Sequence, residues 1–428
     1  MRSDLIVVGG GAAGMMAAGR AAELGCSVCL VEKNDRLGRK LRITGKGRCN
    51  VTNHCTAREV VEAVPSNGRF LFGALSAFPP EETMRFFEGL GVPLKTERGN
   101  RVFPVSDQAA DIVDALSAYV RRGGCRVLHG EVRELLLREG RLEGVRLSSG
   151  EELHAPAVLV ACGGLSYPAT GSTGDGYRLA RQAGHTVTGL RPSLVPLVEQ
   201  GHDCAELTGL SLRNIGLSVW DTRRKREVYT DFGELLFTHF GLSGPVILSA
   251  SSHLRDMEPG RYEVRIDLKP ALSPEQLDAR LLRDFAENRN RDFANSLGAL
   301  LPRKLIPVAV RRSGIPPTCK CNAVTRQMRE HFLSLLKCFS VPIEGFRPIA
   351  EAIVTAGGVA VKEVNPKTME SKLLPGLFFA GEVLDVDAYT GGFNLQIAFA
   401  TGRAAAGAVA SGKGLTEKGG RSHEGNCN

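Results

Sequence analysis

The chain has 428 residues, 43% of them hydrophobic, and a formal net charge of +8 from 54 Lys and Arg against 46 Asp and Glu. That length exceeds one ordinary hydrophobic core, and the composition excludes a disordered or fibrous chain. A mild basic excess spread over so long a chain suits a polyanionic partner without requiring one.

No apolar run approaches the roughly 20 residues that span a bilayer, so no membrane role is expected. The eleven cysteines are scattered without framework spacing, and the chain opens without a secretory signal, which points to a reducing cytoplasm. Cys26 and Cys29 in "CSVC", and Cys319 and Cys321 in "CKC", are read as structural rather than metal-binding, because neither pair has a matching second pair.

Leu5 to Val8 reads as a buried parallel strand running into Gly9-Gly10-Gly11-Ala12-Ala13-Gly14 and a small-residue helix. This is the dinucleotide fingerprint in its required context. Gly9 permits the tight turn, Gly11 lets the backbone approach a pyrophosphate, and Gly14 lets the helix pack closely on the sheet. The second strand, "SVCLVEK", ends in Glu32, placed to accept hydrogen bonds from an adenosine ribose. The next segment, "RITGKGRCNVTN" from Arg42 to Asn53, has two glycines, three basic side chains, a cysteine and no regular periodicity. It reads as an anion-holding loop whose cysteine hints at chemistry.

Further on, an apolar strand (Ala157 to Ala161) runs into Cys162-Gly163-Gly164, and Thr173-Gly174-Asp175-Gly176 heads another helix. From about Leu190 to Leu268, short alternating runs such as "IGLSVWD" and "YEVRIDL" predict an antiparallel β-domain. Within it, Thr238 and His239 follow an apolar run. The histidine fits either of two roles, a partner or acid for a substrate carbonyl or a half-buried ring tied to backbone. From Pro274, apolar residues at helical spacing predict a helical subdomain. "VTAGGV" (Val354 to Val359) reads as a strand ending in two glycines, suited to a close backbone approach or an ordinary turn.

The C-terminal "LLPGLFFAGEVLDVDAYTGGFNLQIAFATG" gives a strand (Leu377 to Ala380), then Gly381-Glu382, then a glycine-rich turn opening a long helix from about Phe393. A second acidic turn and a second helix N-terminus exceed what NAD alone requires. They suit FAD, whose ribitol needs an acidic acceptor and whose ring gains negative charge on reduction. The expected fold is α/β: a discontinuous Rossmann-like FAD-binding domain with a parallel sheet and a βαβ start, interrupted by an inserted antiparallel β-domain and a helical subdomain. The expected boundaries are 1–189 and 351–412 for the FAD domain, 190–272 and 338–350 for the β-domain, 273–337 for the helices, and 413–428 for a disordered tail.

With its GGGAAG turn, terminal Glu32, "RITGKGRCNVTN", "VLVACGG", "STGDG" and "GGFNLQIAFATG", the chain resembles the BaiN/RdsA family of FAD-dependent oxidoreductases over nearly its whole length. The resemblance implies that Gly9, Gly11, Ala12, Ala13 and Gly14 meet the pyrophosphate and Glu32 and Lys33 the adenosine end. Val132 would contact adenine through its backbone, and Ala161 and Gly163 would wall the cofactor. Arg39, Lys40, Thr44, Gly45 and Arg48 would contact the phosphate and ribityl region, with Cys49 and Asn50 nearing the flavin. Gly381 and Glu382 would hold the ribitol, and Gly392, Phe393, Asn394, Leu395 and Gln396 would present backbone N–H groups to the ring. Asp385 and Asp387 fit a flavin or substrate contact less well than a solvated loop.

The resemblance further implies three substrate classes: uridine in ribosomal RNA, reduced to dihydrouridine; enones of oxidised bile acids; and small amines such as aminoacetone. A non-catalytic FAD-containing ribosome-associated factor is a fourth reading. Basic runs at Thr222 to Arg226, Arg121-Arg122, Arg303-Lys304 and Arg311-Arg312 favour RNA over a small molecule. Cys49 and His239 are the expected catalytic side chains, Cys49 as the acid that protonates the second carbon. No second GxGxxG is visible, so NAD(P)H is expected to bind transiently near the flavin as reductant.

Overall fold

A computed structural model describes residues 3–419. Their backbone forms two compact units, one from the residues up to Ser193 together with those from Ile349 onward, the other Leu194–Pro348.

The first unit is built on five parallel strands in the order Leu377–Phe379, Ala157–Val160, Leu5–Val8, Val28–Glu32, Arg126–His129. Parallel strands buried on both faces need unbroken apolar runs, and "LIVV" and "AVLV" supply them, with every side chain buried. Leu5 pairs with both Ala157 and Val28, so the first strand sits at the centre of the sheet and its end is the natural place for a ligand turn. The N-terminal helix Ala12–Glu23 packs against the C-terminal helix Phe393–Gly419. They touch closely because both present small residues: a Cβ on Gly402 would lie 2.4 Å from the Ala13 carbonyl oxygen. Of the expected tail, 413–419 continue this helix backbone, and 420–428 lie outside the described residues.

The second unit contains a closed antiparallel barrel, in the order Leu197–Glu199, Gly241–Ser243, Arg226–Thr238, Ser211–Asp221, Tyr262–Asp267, Phe339–Phe346. Tyr262–Asp267 buries alternate side chains along its length, the period-2 signature legible in "YEVRIDL". Helices Pro274–Glu287 and Arg326–Lys337 bury Leu277, Leu281, Phe332 and Leu336 in the same apolar cluster as Val264 and Val341 of the barrel. The first of them starts at a capping box in which Ser273 and Gln276 bond each other's backbone N–H. The parallel α/β sheet and the antiparallel insert are those expected from the sequence.

Candidate functional site

The turn after the first strand is shaped by crowding. Gly9 has φ +104°, and a Cβ there would lie 2.6 Å from the Ala161 carbonyl oxygen; one on Gly14 would lie 1.9 Å from the Gly9 oxygen. Gly11 differs, since a Cβ on it would meet nothing within 4 Å. It is also the extended N-cap of the Ala12–Glu23 helix, without a side-chain cap and without an acidic residue in the first turn. The N–H groups of that turn are therefore donors that the chain's side chains do not cap, at the positive end of a helix dipole. An open cradle with such donors fits a pyrophosphate.

Glu32 closes the second strand at 9% exposure. Its Oε2 accepts from the Gly10 N–H at 2.6 Å, and its Oε1 accepts from the Asn34 N–H at 2.8 Å and from Asn34 Nδ2 at 2.6 Å. The carboxylate assigned to the ribose thus also ties down the glycine turn. Lys33 Nζ bonds Asp175 Oδ2 at 2.6 Å and Thr173 Oγ1 at 2.5 Å, linking the second strand to the "STGDG" helix start.

The Arg42–Asn53 segment reaches the C-terminal glycine-rich turn. Thr52 Oγ1 donates to Gln396 Oε1 at 2.7 Å, and Asn53 Nδ2 donates to the Gly391 carbonyl at 3.1 Å. A Cβ on Gly392 would lie 2.3 Å from Thr52 backbone atoms, so only glycine lets the two segments meet. Asn394 fastens the turn from the other side, its Oδ1 accepting from the Ala388 N–H at 3.0 Å. Asn50 Oδ1 is buried with no hydrogen-bond partner among the described residues. Such an acceptor costs about 1–3 kcal/mol unless a ligand donates to it, and a flavin ring N–H is a donor of the right kind.

Lys40, Ser166 and Glu382 form a third cluster. Lys40 Nζ bonds Glu382 Oε2 and Ser166 Oγ, both at 2.6 Å; Glu382 Oε1 accepts from Ser166 Oγ and the Thr355 N–H, both at 2.9 Å. Gly381 has φ +74°, and a Cβ on it would lie 3.0 Å from the Ala13 Cβ, which brings the C-terminal acidic turn beside the first helix. Ala161 flanks the Gly9 turn, its N–H bonding the Val8 carbonyl at 2.9 Å, while a Cβ on Gly163 would lie 3.1 Å from Ser172 Oγ.

The family model described as HI0933-like protein Rossmann domain matches residues 3–408. The chain belongs to this HI0933-like family. It is 33% identical to the 3-dehydro-bile acid delta(4,6)-reductase of Clostridium scindens, over 94% of this chain and 98% of that protein. It is 31% identical to the ribosomal RNA dihydrouridine synthase of Escherichia coli, over 95% and 97% of the two chains. Among solved structures, the 3-ketosteroid delta1-dehydrogenase of Sterolibacterium denitrificans shares the fold, with a TM-score of 0.50 at 13% identity, covering 96% of this chain and 100% of that one. The HI0933-like chain is an FAD-dependent oxidoreductase, and the open glycine cradle, the uncapped helix start and the orphaned Asn50 acceptor fit that cofactor.

Several expected contacts are engaged within the chain itself. Arg48 bonds Asp107 through Nε at 2.8 Å, pairs with Glu97, and lies over the Phe103 ring at 4.2 Å. Both carboxylates hold its guanidinium charged and fix the loop. Arg39 bonds Asn34 Oδ1 at 3.2 Å, Thr44 Oγ1 bonds the Leu41 carbonyl at 2.7 Å, and the Val132 carbonyl accepts from Arg178 at 3.0 Å.

Cys49 is fully buried, with φ +59°, and burial pushes its thiol up to about 12. Its side chain packs in the core cluster of the first unit. His239 is exposed at the turn before Gly241–Ser243, its ring set edge-to-face on Phe240 at 5.0 Å. Ser166, Thr355 and Asn34 were not foreseen from the sequence. Their only mark was adjacency to a glycine motif or to Glu32. Among the described residues no helix is long and apolar enough to cross a membrane, and no cluster of His, Cys, Asp and Glu could hold a metal ion.

Proposed function

We propose that this HI0933-like protein reduces a C=C bond conjugated to a carbonyl, and that its substrate is uridine in ribosomal RNA. The observation that carries the reaction class is that two relatives spanning nearly the whole chain are named for such a reduction, one on a steroid and one on uridine. Both require delivery of hydride to one carbon and a proton to its neighbour.

FAD held in the cradle would supply hydride chemistry, with NAD(P)H as the proposed reductant. The residues of the chain hold and orient it. The first turn of Ala12–Glu23 takes the pyrophosphate, Glu32 the ribose, and Glu382, fixed by Lys40 and Ser166, the ribitol. The Gly392–Gln396 turn opens a helix with no acid in its first turn, whose start would favour negative charge on the ring. Asn50 Oδ1, buried without a partner among the described residues, would accept a hydrogen bond from the ring. Of the two side chains expected to manage the proton, Cys49 is sealed in the core and His239 is exposed on the second unit.

The preference for RNA rests on charge, and the structure narrows that argument. Arg311 is paired with Glu206 and Asp203, Arg312 with Asp203, and Arg223 with Glu258. Those cations are neutralised within the chain, whereas Arg121, Arg122, Arg303, Lys304, Lys225 and Arg226 make no ion pair among the described residues. Nucleosides of ribosomal RNA from a strain lacking the gene test the reading. Loss of a dihydrouridine supports it, and unchanged content turns the assignment to the enone reductase.

A further inference from the structure

Within the first unit, strands Leu94–Glu97 and Arg101–Pro104 are joined by the turn Arg98-Gly99-Asn100, and the short strand Thr52–Asn53 pairs beside them. Gly99 and Asn100 both take left-handed φ, +77° and +58°. All three carbonyls of the turn are held by the chain. The Arg98 carbonyl accepts from Arg101 Nε at 3.0 Å, that of Gly99 from Asn53 Nδ2 at 3.0 Å, and that of Asn100 from the His54 N–H at 2.7 Å. A turn set in this way by the fold loses little freedom when it grips a ligand.

The turn is tied to the cofactor cradle. The same Asn53 Nδ2 donates to the Gly391 carbonyl at 3.1 Å, so one buried amide bridges the Arg98–Asn100 turn and the glycine-rich turn before the C-terminal helix.

The charges around it are unequal. The carboxylates of this hairpin and of the loop that follows it, Glu97 and Asp107, are taken up by Arg48, which pairs with both, and by Lys95, whose Nζ lies 2.8 Å from Asp107 Oδ2. Arg98 and Arg101 are exposed, and neither makes an ion pair among the described residues. Arg101 uses Nε on the neutral Arg98 carbonyl, and its guanidinium carbon stands 5.8 Å from the centroid of the Phe103 ring that Arg48 covers at 4.2 Å. Lys46, exposed and likewise without an ion pair, follows Gly45, on which a Cβ would lie 3.3 Å from the same ring. Two cations thus balance the two carboxylates, and three more on adjoining loops have no counterion in the chain.

We propose that Arg98 and Arg101 are substrate-binding residues that grip a backbone phosphate beside the uridine being reduced. Planar guanidinium forks match two phosphate oxygens at once. Such contacts set the position of a strand and carry no base information, so the pair governs which substrate is taken rather than the reduction itself. NAD(P)H is the other phosphate-bearing molecule that must reach the flavin, and the two sources are separated below. The assignment rests on the RNA reading given above.

The test uses the FAD-loaded full chain as wild type, Arg98→Gln/Arg101→Gln and Arg98→Lys/Arg101→Lys, with the flavin absorption spectrum as the check on folding. Flavin reduction by NAD(P)H and reoxidation by protein-free ribosomal RNA from a strain lacking the gene are followed separately, the second at several RNA and salt concentrations. The glutamine variant should need about tenfold or more RNA for half-maximal reoxidation, with a log–log salt slope smaller by about 2, and the lysine variant should recover most of the slope. Its dependence on NAD(P)H concentration should stay that of the wild type. A weakened NAD(P)H dependence with the RNA dependence intact would assign the pair to the nucleotide and overturn the proposal. Wild-type RNA dependence and slope in the glutamine variant, while the wild type forms dihydrouridine, would overturn the grip and leave the RNA reading standing. A wild type that neither binds this RNA nor forms dihydrouridine in it would overturn both.

Discussion

The Gly9–Gly14 turn and the Arg42–Asn53 loop are both glycine-rich segments on the same cradle, yet they hold their shapes by different physics. In the first, the crowded glycines answer to nearby backbone or to the neighbouring strand, Gly14 to the Gly9 oxygen and Gly9 to the Ala161 oxygen, while Gly11 faces open space. In the second, the shape is set by partners far along the chain: Arg48 by Glu97 and Asp107, Thr52 by Gln396, Asn53 by Gly391. Steric demands are local and transfer from motif to structure. Charge and hydrogen-bond pairing are settled by the whole fold.

The sharpest way to break this contrast is a pair of alanine substitutions. Gly14→Ala must push a methyl into the Gly9 oxygen and should cost about 3 kcal/mol in urea unfolding, with FAD lost as a consequence. Gly11→Ala places its methyl in open space, so the apo-protein should unfold at the wild-type midpoint while FAD affinity falls about tenfold or more. Equal effects of the two on apo stability would remove the distinction between packing glycine and ligand-facing glycine.

Asn50 sharpens it next. Asn50→Leu removes an unpaired buried acceptor, so the apo-protein should be unchanged or more stable, by up to about 1–3 kcal/mol, while FAD binds more weakly. Destabilised apo-protein with intact FAD affinity would assign Asn50 to the fold. Arg48→Met should act in the opposite sense, lowering the melting temperature of the apo-protein through loss of the Glu97 and Asp107 pairs. A phosphate-gripping arginine would instead leave the apo-protein alone and weaken FAD only. Cys49→Ala should cost about 1 kcal/mol of packing and keep turnover. In the native wild type, the thiol should resist a thiol-modifying reagent.

The smallest expected effect lies away from the cradle. His185 is buried, with Nε2 2.7 Å from Ser371 Oγ and Nδ1 3.3 Å from Glu363 Oε2, and burial pushes its pKa below 6.5 despite the opposing pull of Glu363. A folded state that prefers the neutral ring is stabilised above the unfolded value and loses that contribution as pH falls through the folded one. Urea midpoints should therefore decline below about pH 6.5, and His185→Gln should flatten that decline.

The same division explains what could be read from the sequence. The parallel sheet was legible in "LIVV" and "AVLV", because strands buried on both faces leave unbroken apolar runs, and the barrel was legible in the alternation of "YEVRIDL". The cradle was legible because its glycines obey local sterics. The joining of Lys40, Ser166, Glu382 and Thr355 was not, since it links residues as far apart as 40 and 382 and Ser166 is marked only by the glycine motif before it. The burial of Cys49 was not legible for a related reason. Position in a motif told where the residue stands along the chain, whereas acidity depends on solvent access, which the surrounding core removes.

The central claim is that this cradle serves the reduction of uridine in RNA, and the most direct measurement is anaerobic reoxidation. Holoenzyme bleached with a stoichiometric amount of NAD(P)H is mixed with ribosomal RNA from the deletion strain, and the flavin absorption and the nucleosides are followed together. The account predicts return of the oxidised flavin with one dihydrouridine formed per flavin. Reoxidation by a steroid enone but not by the RNA would contradict it.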